Sequence, residues 1–97
     1  MSVVFDDDVT LIILTGEIDL TLSHDLQDAG NEVIDRALPV QIDMQLVTSM
    51  DSAGVSFVAR LVAAEHKHGA RPVIHGARPM VVETLTTTGL TPQIDLT

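Results

Sequence analysis

One strand–turn–helix passage decides the fold. Val40-Gln41-Ile42-Asp43-Met44-Gln45-Leu46-Val47 alternates apolar and polar residues. Such alternation predicts a β-strand with one face against a core and one wetter face. Ser49-Met50-Asp51-Ser52-Ala53-Gly54 follows as a polar turn rich in small residues, which a partner's backbone can approach closely. From Val55 to about His68 the apolar positions recur at helical spacing. Val55, Val58, Leu61 and Val62 form a stripe widened by Phe57 and Ala59, with Ser56, Arg60, Ala63 and Lys67 on the outer face. Gly69 is placed as a C-terminal cap. Ser52 stands where the helix should start. Its hydroxyl suits an N-cap, and a phosphoryl group there would meet the favourable end of the helix dipole.

The passages on either side repeat this alternation. Val3-Val4-Phe5 reads as a short strand and Asp6-Asp7-Asp8 as a solvated turn, since calcium loops need spaced ligands and a glycine. Val9–Thr15 is a strong strand, and its continuous run Leu11-Ile12-Ile13-Leu14 suggests burial on both faces. Gly16-Glu17-Ile18-Asp19 is expected to end that strand in a turn, with Thr21 or Ser23 capping the next helix. Leu22, Leu26, Ala29, Val33 and Ala37 then mark an amphipathic helix, with Asp25, Asp28, Glu32 and Asp35 opposite and Gly30 as a weak point. Pro39 bars its continuation. After the central passage come a short strand over Arg71–His75 and a helix opened by Pro79, carried by Met80, Val81, Val82 and Leu85 and closed at Gly89. A closing strand is expected at Gln93–Leu96. The order β-β-α-β-α-β-α-β predicts an α/β domain over residues 1–97. Its sheet should be mixed, mostly parallel and four- to five-stranded, with three to four helices and right-handed crossovers.

Composition narrows the function. With two phenylalanines and no Trp or Tyr, base-stacking platforms are not expected. A formal net charge of −9 argues against nucleic acid and anionic membranes. Residues 1–51 hold eleven acids and one base, whereas residues 52–97 hold three acids and four bases. This asymmetry suits a basic partner for the first half, or simple solubility. The absence of cysteine excludes thiolate catalysis and Cys-ligated metals. No apolar run approaches membrane-span length, so a cytoplasmic protein is expected. Catalysis lacks a constellation. Ser52 is not in a G-x-S-x-G setting, because position 50 is Met, and the spacing of His24, His66, His68 and His75 pairs none of them with Ser52 or with a metal. No glycine-rich phosphate loop is present. The expectation is therefore a non-enzymatic interaction module with no cofactor and no metal.

Three motifs in order, Gly16-Glu17-Ile18-Asp19, Met50-Asp51-Ser52-Ala53-Gly54-Val55 and Thr88-Gly89-Leu90, resemble those of a STAS domain, in particular the bacterial anti-sigma factor antagonists. Asp19 and Ser52 are 33 residues apart, and the likeness spans nearly the whole chain. The resemblance implies binding to an anti-sigma factor that is also a serine kinase of the ATP-binding, histidine-kinase-like type. It further implies release on phosphorylation of Ser52 and restoration by a serine phosphatase, with no direct role for nucleic acid or membrane. The partner surface it implies comprises Glu17, Asp19, Asp51, Ser52, Ala53, Gly54 and Ser56. The chain departs from the family pattern at Ser49, where a bulky residue is usual. That departure makes Thr48 and Ser49 alternative acceptors, and it motivates a second expectation, an unswitched STAS scaffold or ligand-sensing module.

Overall fold

The computed structural model describes residues Met1–Thr97. Five strands, β1 (Ser2–Phe5), β2 (Thr10–Ile18), β3 (Val40–Met50), β4 (Val73–His75) and β5 (Asp95–Leu96), form one sheet in the order β1-β2-β3-β4-β5. β1 runs antiparallel to β2, and the remaining pairs are parallel. The helices are α1 (Ser23–Arg36), α2 (Ser52–His66) and α3 (Pro79–Thr87), with 3₁₀ turns at Leu20–Leu22 and Thr91–Gln93. The α/β order read from the sequence is the order observed.

The strand order never reverses from β2 to β5. Three successive right-handed crossovers therefore place all three helices on one face of the sheet. On that face Ile12, Leu14, Ile42, Met44 and Ile74 are fully buried against Leu26, Val33, Phe57, Val58, Leu61, Val81 and Leu85 in one core. The opposite face carries Leu11, Ile13, Gln41, Asp43, Val73 and His75, all half-buried. This corrects the expectation that Leu11–Leu14 is buried on both faces. A continuous apolar run suited two-sided cover, but every crossover went to the same side.

Two further corrections concern where strands end. Gly16–Ile18 does not form a turn, because β2 runs on to Ile18, with Gly16 in the left-handed region at φ 73° that glycine adopts without Cβ strain. β3 likewise continues past Val47 to Met50. The pairing skips from Ile13↔Asp43 to Thr15↔Leu46, then from Gly16↔Val47 to Glu17↔Ser49. Each skip inserts one extra residue in β3, and a bulge of this kind flips the side-chain alternation. Leu46, which fits the buried stripe by simple alternation, is therefore 59% exposed, and Val47 is buried in its place.

Candidate functional site

β2 and β3 end side by side, with Ile18 opposite Met50. The next residue of each chain segment is an aspartate. The backbone N–H of Asp51 donates to the Ile18 carbonyl at 3.0 Å, which ties the start of α2 to the end of β2. Asp19 and Asp51 are both extended, and each accepts from the backbone N–H two residues ahead: Thr21 N–H to Asp19 Oδ1 at 3.0 Å and Ala53 N–H to Asp51 Oδ1 at 2.8 Å. The Thr21 hydroxyl also donates to Asp19 Oδ1. Two carboxylates thus cap the two helical segments that leave adjacent strands.

This arrangement corrects two sequence expectations. Neither Thr21 nor Ser23 caps α1; Asp19 caps the 3₁₀ turn ahead of it, and α1 itself starts after Leu22 with no side-chain cap. Ser52 is not the N-cap of α2 either. Asp51 takes that role: its N–H is held by the Ile18 carbonyl, its backbone is extended, and its carboxylate accepts from the Ala53 N–H. Ser52 becomes the first helical residue, with an exposed side chain.

The remaining predicted residues fall around this point. Glu17 is exposed near the end of β2, opposite Ser49. Ala53 is half-buried, and Ser56 is exposed one helical turn beyond Ser52. Gly54 is buried; a Cβ there would lie 2.5 Å from Met50 Cγ and 2.9 Å from Ile18 Cγ2. Only glycine lets α2 start this close to the strand ends. Met50 therefore packs under the first turn of α2, next to the position where Ser49 departs from the pattern. Ser49 itself is half-buried in the strand ladder and Thr48 is exposed; both lie on β3, before the helix start.

α1 and α2 run side by side in the same direction. An open pocket of about 410 Å³ lies between their N-terminal halves. Leu20, Leu26, Ala53 and Phe57 supply its apolar surface, and Ser23, Gln27, Ser52, Ser56 and Arg60 its polar one. Arg60 reaches across to α1, where Nη2 donates to Asn31 Oδ1 at 2.5 Å and Nη1 to the Gln27 carbonyl at 3.5 Å. Sequence reasoning placed Ser56 and Arg60 on an outer face and did not see the pocket. The signal available was the polar i, i+4, i+8 series Ser52, Ser56, Arg60, one stripe of a helix.

No histidine lines this pocket. His24 lies 3.6 Å from Asp28 on the surface, and His75 contacts Gln41 and Thr97 on the open sheet face. No group of three or more His, Asp or Glu side chains is placed to hold a metal ion. No helix is long and apolar enough to cross a membrane.

Residues 1–95 match the family model described as "Mlab, STAS domain". A comparison with curated proteins gave no match. Among solved structures, the chain is similar to the anti-sigma factor antagonist SpoIIAA in its unphosphorylated form, with TM-score 0.83 and 19% identity over 99% of this chain and 86% of that one. It is similar to an anti-sigma factor antagonist from Mycobacterium paratuberculosis, with TM-score 0.79 and 24% identity over 98% and 81% of the two chains. It is also similar to the Bacillus cell fate determinant SpoIIAA in its phosphorylated form, with TM-score 0.77 and 17% identity over 99% and 89%. At these identities the structural likeness speaks for the fold.

Proposed function

The chain belongs to the STAS domain family, and on that premise we propose that it is an anti-sigma factor antagonist. In this reading it binds an anti-sigma factor that is also a serine kinase, frees the sigma factor, and is switched off when Ser52 is phosphorylated. The observation that carries the reading is the position of Ser52. It is the first residue of α2 and exposed, and Asp51 has taken over the capping role, so its hydroxyl is not needed to hold the fold.

The chemistry follows from that position. The kinase transfers the γ-phosphoryl group of ATP to Ser52 Oγ; the hydroxyl proton is lost and ADP leaves. Hydrolysis by a phosphatase returns the hydroxyl and inorganic phosphate. This chain is the substrate in both steps and supplies no catalytic group. The phosphoryl group adds about −1.5 to −2 charges. It does so on a surface that already holds Asp19 and Asp51 at the ends of neighbouring strands. A partner that met this surface before now meets a dianion that must be desolvated. A loss of a few kcal/mol lowers affinity by ~10²–10³ without any change of fold. Glu17, Asp19, Ala53 and Ser56 surround the switch and form the contact surface in this reading, whereas Gly54, expected there from the sequence, is buried beneath it against Met50 and Ile18.

The test is incubation with ATP and the host's candidate kinase, followed by phosphosite mapping and binding measurements. Modification confined to Ser52, and weaker binding by Ser52→Asp, are expected. Equal modification of wild type and Ser52→Ala would move the site to another hydroxyl, Thr48 or Ser49. A partner complex indifferent to ATP and to Ser52→Asp would replace the switch with an unswitched scaffold.

A further inference from the structure

Arg60 is out of place for a chain with fourteen acids and five Lys or Arg residues. The other four basic side chains are exposed, whereas Arg60 is half-buried at one end of the α1–α2 pocket. It has no carboxylate partner; the two ion pairs of the chain are His24–Asp28 and Arg71–Asp95. Its contacts on α1 are both neutral, the Asn31 side chain and the Gln27 carbonyl. A guanidinium carries five N–H donors, and these contacts use two.

α1 also accommodates this placement. Gly30 sits in the middle of the helix, where glycine costs about 1 kcal/mol relative to alanine. A Cβ at Gly30 would lie 2.7 Å from Arg60 Nη1. A helix-weakening residue thus leaves space for a cation that has no counter-ion. The acids of α1, Asp25, Asp28, Glu32 and Asp35, do not line the pocket. Beside Arg60 it offers serine hydroxyls and an apolar wall built on Leu20, Leu26 and Phe57.

We propose that the α1–α2 pocket binds an oxyanion, a phosphate or carboxylate carried on a small apolar body, with Arg60 as the anchoring cation. The spare guanidinium donors take the anion, Ser52 and Ser56 add hydroxyl donors, and the apolar body lies on Leu20 and Phe57. Two sources share this chemistry: a free organic anion, or the phosphoryl group of modified Ser52. The second source rests on the regulatory reading above; the first does not.

The test titrates phenyl phosphate into the unmodified full chain at fixed ionic strength, followed by amide resonances and the Arg60 Nε–H signal. Saturable shifts confined to Ser23, Gln27, Ser52, Ser56 and Arg60 are expected, together with about a tenfold or greater weakening in Arg60→Gln. Phenol should produce no comparable saturation. Because Arg60→Gln also removes the link to α1, Gly30→Ala serves as a second variant. It keeps the charge, improves helix propensity and pushes the guanidinium aside, so it should weaken binding without loss of fold. No saturation in wild type, equal binding by both variants, or equal response to phenol would overturn the proposal and leave Arg60 as a strut between helices. With phosphorylated Ser52 chain, loss of phenyl phosphate binding identifies the attached phosphoryl as the occupant, and retained binding identifies the free anion. Failure to find any kinase would leave the titration of the unmodified chain intact.

Discussion

The Asp51 N–H bonds to the Ile18 carbonyl at 3.0 Å, and the carboxylate of the same residue caps α2 by accepting from the Ala53 N–H at 2.8 Å. That single residue therefore ends β3, fixes it to β2 and starts the helix. Ser52, its neighbour, does none of these things. Replacing Asp51 with Ala should cost about 1 kcal/mol by removing the cap. Ser52→Ala should change stability by no more than ~0.5 kcal/mol, as for an exposed residue without structural contacts. Urea denaturation of the two variants checks this. A larger loss for Ser52→Ala would return the capping role to the serine and weaken its standing as a free acceptor.

The close approach at Gly54 gives a second prediction. A methyl group there meets Met50 Cγ at 2.5 Å and Ile18 Cγ2 at 2.9 Å. Overpacking of this kind costs about 1–3 kcal/mol. Gly54→Ala should therefore destabilise, and Met50→Ala should partly rescue it by vacating the nearer contact. In a double-mutant cycle the combined change should be smaller than the sum of the single ones by roughly 0.5 kcal/mol or more. Strict additivity would mean that Ile18, not Met50, limits the approach.

The sequence was legible where one rule acted alone. Pro39, Pro79 and Gly89 delimit helices as backbone sterics require, and the helical spacing from Val55 onward located α2 to within a few residues. It failed where two rules competed. Strand length at Gly16–Ile18 and Thr48–Met50 depended on pairing between distant segments, which let polar and glycine residues stay in the sheet. The bulges that expose Leu46 follow from that pairing register, which alternation in one strand cannot reveal. The cap falls on Asp51 and not Ser52 because the Ile18 carbonyl, from a distant segment, holds Asp51 extended at the helix start. The Arg60 pocket was hidden because it needs α1 and α2 side by side, and neither helix alone marks Gly30 as a contact.

Thr10 carries a small defect. Its side chain is fully buried and Oγ1 has no hydrogen-bond partner. An unpaired buried hydroxyl costs about 1–3 kcal/mol, and its removal by an isosteric apolar group recovers part of that. Thr10→Val should stabilise the domain by ~1 kcal/mol, seen as a higher urea midpoint at unchanged slope. The strand position also favours valine. A lower midpoint would show that the hydroxyl is bonded in solution.

Glu65 couples stability to pH. It is 6% exposed on the inner side of α2. Burial pushes its carboxyl above the ordinary value, and the nearby charge of His68 pulls it back only in part. A carboxyl with a raised folded-state pKa favours folding when protonated. Its contribution is fully present below the unfolded value and is lost as pH rises through the folded one. Glu65→Gln keeps the shape and removes the titration. The variant should be more stable than wild type at pH 7.5, and the difference should shrink as pH falls through the raised folded-state value and level off below about 4.5. Taking the difference between the two chains cancels the other carboxylates, which titrate in both. Chemical denaturation at several pH values measures it, and a difference that stays constant from pH 4 to 8 would show that Glu65 is not ionised against a desolvation penalty.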